Sequence, residues 1–376
     1  MGHINITNKI KFINTEKTTQ EITSNTSWEE QGTLVNSSSL VAGNDYLLVA
    51  WVNCTSVGTN EGATKLNFEG GSDLVGSAYE RHDTNSSGMV VPYIGQFTAP
   101  DPTANIVVSR RRMFGGNNEL TDYGQAFLID LSYSGASGSL ISGTNYSSTI
   151  STSSQTLSTN ATVVSHSVNN DSGTQLIFAT SRSYNSTYDP SLQGLYINDV
   201  LVSSGSRWSQ DGGDIKSVVF AIAHDMDEGD TVKIKTLDSH SITADYKYIF
   251  TLNIDDSPAT KHTGQLSTWY DGESLGGSPS GSWGSATIDG NGEESFVVAM
   301  AAATHTGMES GRMAQATLKN LTTDEYLIFK NRPSGEYNGL YYPATNYGSK
   351  AGEYETSVIV GVGTIGDADA IELQTQ

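Results

Sequence analysis

Residues 245–254, DYKYIFTLNI, set Phe250, Leu252 and Ile254 on one side of an alternating run, the period-2 pattern of a strand with one face in a core. The phrase recurs as DYGQAFLIDL at 122–131 and as EYETSVIVGV at 353–362, with Phe127, Ile129, Leu131 and Val358, Val360, Val362 in matching places. A second phrase recurs ahead of it. YLLVAWVNC from Tyr46 follows Ala42, Gly43, Asn44 and Asp45, QLIFA from Gln175 follows Asn169, Asn170, Asp171, Ser172 and Gly173, and SFVVA from Ser295 follows Asp289, Gly290, Asn291 and Gly292. Two phrases returning in the same order make the chain an internal repeat, with units of roughly 110 to 125 residues.

Between these markers lie further short apolar runs: TKLNF from Thr64, GLYINDVLV from Gly194 with Asn198 and Asp199 as a tight turn, and VKIKTL from Val232. Many short strands separated by turn residues predict an all-β fold of three tandem antiparallel β-sandwich domains of jelly-roll type. The expected bounds are 28–137, 138–256 and 257–376, preceded by an N-terminal arm, 1–27, that pairs with a neighbour or with its own first domain. Residues 132–160, rich in Ser, Thr and Gly, read either as a linker or as thin polar strands around Ile150 and Leu157, and 255–260 as a short, stiffer join.

Composition narrows the function. Forty-one acidic against twenty basic residues give a formal charge of −21, which repels a phosphate backbone or an anionic membrane, so neither nucleic acid nor membrane is expected as a partner. The one cysteine, Cys54, rules out an intrachain disulfide and a cysteine-built zinc site. The opening MGHINITNKIKF lacks the apolar stretch of a secretory signal, so the chain is expected to be made in a cytoplasm, although its Ser, Thr, Asn and Gly content is that of an extracellular β-protein.

Candidate chemistry is sparse. In DMDEGD, Asp225, Asp227 and Asp230 offer hard oxygen ligands for calcium, but without EF-hand spacing the run reads first as a turn entering the strand TVKIKTL. The phrase EGDTVKIK resembles the turn and strand of the tumour-necrosis-factor and complement-C1q type of jelly roll. Arg110, Arg111 and Arg112 form the only basic run; on a strand the outer two share a face, suited to carboxylates across a subunit or capsid contact, or to an anionic glycan. Trp269, Trp283, Tyr337, Tyr341, Tyr342 and Tyr347 lie in Gly, Ser and Asn-rich surroundings, where aromatic faces suit sugar rings or a partner protein, or else cover the ends of a sandwich. No histidine spacing makes a metal site and no nucleophile elbow is present, so no catalytic residue and no cofactor is expected.

Near absence of cysteine, an acidic surface and Ser/Thr/Gly/Asn-rich strands resemble the head-decoration, head-fibre and tail-appendage proteins of tailed bacteriophages. That resemblance implies a non-enzymatic structural protein on the virion surface, stabilising the shell or contacting the host, with major capsid or other virion proteins and possible host glycans as partners. It also implies self-association as a trimer or other symmetric oligomer, with the tyrosine-rich third domain outward. The alternatives are an extracellular carbohydrate-binding adhesin and, third, a glycan-cleaving enzyme.

Overall fold

The structure is a computed structural model. It describes the chain except residues 1, 6–10, 18–20, 57–58, 75, 77–79, 86–87, 115–118, 134–144, 185–190, 208–214, 238–240, 255–280, 289–291, 305–311, 328–339, 345–353 and 376. The described residues are almost entirely strand, in antiparallel sheets that pack as β-sandwiches. No helix among them is long and apolar enough to cross a membrane.

In each repeat the second phrase forms an opening strand (Asp45–Ser56, Gly173–Tyr184, Glu293–Thr304) hydrogen-bonded to a closing strand made by the first phrase (Glu119–Asp130, Ile242–Asn253, Tyr354–Ile365). The first two repeats keep one register, with Val49 opposite Phe127 and Phe178 opposite Phe250. The backbone bonds at the turns match too: Leu131 N–H donates to Asp45 O at 2.8 Å, and Ile254 N–H to Thr174 O at 2.9 Å. In the third, Met300 stands opposite Val358, and Val298 opposite Val360. Relative to the sequence match, the strands have slid by two residues, a shift that leaves every side chain on its original face.

The opening strand of repeat 1 is apolar on both sides because both sides are covered. Tyr46, Leu48, Ala50, Val52 and Cys54 pack inside the sandwich against Leu34, Leu66, Ile106 and Val108 of the opposing sheet, in which Glu29–Val35, Ile106–Phe114, Thr59–Phe68 and Glu80–Asn85 are neighbours. Leu47, Val49 and Trp51 face the other way. Repeat 2 divides in the same manner: Ile177, Ala179 and Ile249 point into its own sandwich, whereas Leu176, Phe178, Phe250 and Leu252 point out of it.

These outward faces meet. Phe127, Ile129 and Leu131 from repeat 1, Phe250, Leu252 and Ile254 from repeat 2, and Val358 and Val360 from repeat 3 belong to one buried core, all at 5% exposure or less. Residues of all three closing strands thus belong to one continuous core, and burying each larger side chain contributes roughly 1.5–3 kcal/mol. Trp51 stacks on Phe127 in this core, ring centroids 5.4 Å apart.

Residues 146–151 and 155–157 resolve the reading of the polar stretch in favour of strands, both paired with the closing strand of repeat 2; 134–144 and the join at 255–260 lie outside the described residues. Asn198 and Asp199 form the expected tight turn, with φ of 48° and 64°. The arm is divided. Phe12–Lys17 and Glu21–Thr23 pair with the closing strand of repeat 1, as one of the two expectations had it, but Gly2–Asn5 pairs with the opening strand of repeat 3. One parallel bridge, Ser206 to Glu355, joins a sheet of repeat 2 to that same sheet.

Candidate functional site

The tyrosine of the repeated phrase crosses between repeats. Tyr246 Oη donates to the carbonyl of Ile94 at 3.2 Å. Its ring lies so close to Gly76 that a Cβ there would sit 2.4 Å from Tyr246 Cζ, and a Cβ on Gly95 would sit 2.5 Å from Tyr93 Oη and 2.7 Å from Tyr246 Oη. Before it in the chain, Asp245 takes a bidentate pair from Arg182, Nε to Oδ1 at 2.8 Å and Nη2 to Oδ2 at 3.0 Å. Burial pushes the Tyr93, Tyr246 and Tyr248 hydroxyls above their ordinary range, so they stay neutral. The two glycines are therefore the condition for a close tyrosine-lined joint. Gly95→Ala is expected to destabilise the protein by about 1–3 kcal/mol through overpacking, read as a lower urea midpoint.

A second constellation has the outline of a nucleophile and its base. Ser147 Oγ stands 3.0 Å from His166 Nε2, and Thr149 Oγ1 3.0 Å from His166 Nδ1. The same hydroxyls also meet an amide. Asn170 Nδ2 donates to Gln175 Oε1 and to Asn145 O, so Asn170 Oδ1 is the acceptor for Ser147 Oγ–H at 2.7 Å and for Thr251 Oγ1–H at 3.1 Å. The ring nitrogens thus each meet a hydroxyl, with the direction of both bonds set by the imidazole tautomer. The ring is 3% exposed, and burial lowers its pKa from 6.5 to about 4. The network ties Thr162–Ser167 in one sheet of repeat 2 to Tyr146–Ser151 and Ile242–Asn253 in the other. Neither this network nor the joint was signalled by spacing; the one sequence hint was the recurrence of Tyr after the leading acid.

Of the residues singled out in the sequence, the acidic turn and the arginine run are described and lie on different strands of different repeats. In the acidic turn Asp230 is occupied structurally: Oδ2 accepts from Asp227 N–H at 2.9 Å and Oδ1 from Asn198 Nδ2 at 2.8 Å, while Gly229 adopts φ +93°. Asp225 accepts from Thr174 Oγ1 at 2.8 Å. The run forms the turn entering the strand Thr231–Thr236, and among the described residues no three Asp, Glu, His or Cys side chains gather to hold a metal ion. Arg110 is fully buried inside the first sandwich, opposite Thr64, and offers no surface to a partner. Arg111 and Arg112 are half-buried; Arg111 and Lys65 each sit over the Trp28 ring, at 4.8 and 4.7 Å.

Trp269, Tyr337 and Tyr347 lie outside the described residues, as do the side chains of Trp283, Tyr341 and Tyr342. The short strand holding Tyr341 and Tyr342, Leu340–Ala344, pairs with Arg312–Asn320 and runs close to Gly88–Thr98 of repeat 1, which sets its backbone beside another repeat.

No family model matches the chain, and no curated protein does. Among solved structures, PNGF-II is 11% identical with a TM-score of 0.25, over 64% of this chain and 65% of that one, so this chain spans just under two thirds of its length. The VP2 subviral particle of infectious bursal disease virus is 11% identical with a TM-score of 0.22, over 66% and 74%. The triple jelly roll of an archaeal virus turret assembly is 10% identical with a TM-score of 0.20, over 100% and 89%. Weak neighbours thus include viral capsid proteins, along with carbohydrate-binding modules and glycoside hydrolases. Likenesses this distant carry no function across.

Proposed function

We propose that this chain is a structural protein of a virion surface, a decoration, fibre or appendage unit that stabilises the shell or contacts the host. The observation that supports this reading most is the continuous core to which all three closing strands contribute. Repeats that only displayed separate binding sites would need no such fusion, whereas a mechanical part gains from it, because every sandwich is braced by the other two. The buried ionic and polar groups serve the same end: Arg182 with Asp245, His166 with its hydroxyls, and Asn320 Nδ2 donating to Asp369 Oδ2 at 2.8 Å all join strands to one another. A surface dominated by carboxylates suits a protein held at high local density on a particle, because it resists non-specific clumping.

Native mass measurement together with cryo-imaging of particles from the same source tests the reading. The expected result is a symmetric oligomer, present at regular positions on the particle surface. A monomer never found on particles overturns it. Specific binding on a glycan array by protein absent from particles would favour the adhesin instead, and polysaccharide turnover lost on changing one carboxylate would favour the enzyme.

A further inference from the structure

The divided arm points to how copies of the chain join. Its inner part is well fastened. Phe12–Lys17 makes six register pairs with Gly124–Ile129, and Glu21–Thr23 makes three more. At the start of this part, Asp130 N–H donates to Lys11 O at 3.0 Å and the Asp130 carboxylate, itself almost wholly buried, pairs with Lys11 Nζ at 3.4 Å. Asn44 Nδ2 and Ser132 N–H also donate to that carboxylate, so Lys11 is moored to a fixed point of repeat 1.

The outer part is held by far less. Gly2–Asn5 makes four register pairs, Gly2 with Val298 through Asn5 with Ser295, and is the outermost strand of its seven-stranded sheet. It covers one third of the twelve-residue strand Glu293–Thr304. Were it to leave, Ser295–Val298 would present unpaired N–H and C=O groups on one side, a ready template for another strand. The acceptor therefore calls for an occupant, and the segment that fits its register is residues 2–5 of this sequence.

We propose that Glu293–Thr304 is a strand-acceptor surface whose occupant in the assembled protein is the Gly2–Asn5 segment of a second copy of this chain. The bonds made in exchange are identical to those within one chain, so the swap needs no new interface. Within an isolated chain the short tether keeps the local concentration of its own arm high and the acceptor self-filled; at the density of an assembly neighbouring arms compete. Each exchange leaves every copy giving one strand and taking one, which closes into a ring when the rotation between copies permits. The oligomer count rests on the virion reading, but the exchange does not.

The test uses two full-length single variants, Ile4→Cys and Phe296→Cys, one carrying a mass tag. These positions are directly opposed in register, a separation a disulfide can span. Cys54 is buried and takes no part. The variants are mixed in equal amounts, concentrated until they associate, and oxidised mildly; circular dichroism confirms that each is folded. The expected result is a covalent species joining one Ile4→Cys chain to one Phe296→Cys chain, several-fold in excess of either homodimer and absent from dilute mixtures. A folded mixture that stays unlinked, or links statistically, overturns the proposal. A double variant, Ile4→Cys with Phe296→Cys, closes within one chain when dilute and links between chains when concentrated; closure within one chain at every concentration also overturns it. Linkage in free protein never found on particles would sink the virion reading and leave the exchange standing.

Discussion

Replacing Phe250 by alanine is expected to lower the unfolding free energy by about 3–5 kcal/mol and to loosen the repeats from one another. Phe250 is completely buried, stands opposite Phe178, and stacks on Tyr146 at 5.8 Å between centroids. It lies in the core shared by the three repeats and not inside its own sandwich, so the cavity opens where they meet. A matched change, Ile234→Ala, removes an equally buried side chain from the interior of the second sandwich and costs about 2–5 kcal/mol. The two differ in kind. With Phe250→Ala, urea unfolding should broaden or split, and protease should cut between repeats at denaturant concentrations that leave the parent intact. With Ile234→Ala, the midpoint falls but the transition stays single. Phe250→Leu should recover most of the loss, because volume-conserving exchanges usually cost less than about 1.5 kcal/mol. Splitting by Ile234→Ala and not by Phe250→Ala would show that the common core does not couple the repeats.

How far the fold could be read ahead follows from what a strand pattern encodes. Alternation in 245–254 names a face and says nothing of what covers it, so Phe250 and its counterparts were legible as core residues, while the core's position between repeats was not. The nearly unbroken apolar run in Asp45–Ser56 carried that information, since only a strand covered on both faces favours such a run. Asn198 and Asp199 were legible because their residue types tolerate positive φ. The arm's pairing with repeat 1 had a weak alternation behind it, whereas four residues, Gly2–Asn5, are too few to hold a pattern. Charge misleads in a different way. Arg110 reads as a surface residue yet is fully buried, because its strand continues the inward face past the point where apolar residues stop. Polar networks leave the least trace: Ser147, His166, Asn170 and Thr251 are scattered over more than a hundred residues, and only the pairing of strands brings them together.

That network gives the protein an acid-labile bond between the sheets of repeat 2. His166 has a folded pKa of about 4 against an ordinary value of 6.5, lowered by burial. Between those values the unfolded chain binds a proton that the folded chain does not, so stability rises with pH across the window. The contribution is complete above about pH 6.5 and is lost progressively as pH falls toward 4, amounting to about 3 kcal/mol. Carboxylate repulsion works against it, since protonating part of a chain of net charge −21 relieves strain in the compact state. The informative quantity is therefore a difference. Urea unfolding of the parent and of His166→Gln at pH 7 and pH 4.5 should show the parent losing about 2–3 kcal/mol more than the variant on acidification, even if the variant starts lower. Thr149→Val should lower stability at both pH values with little change in slope, because it removes a hydrogen bond to the imidazole without removing the titrating ring. Parallel pH dependences for the parent and His166→Gln would mean that His166 binds protons equally in the folded and unfolded chain, and that the two sheets are not joined through a neutral ring.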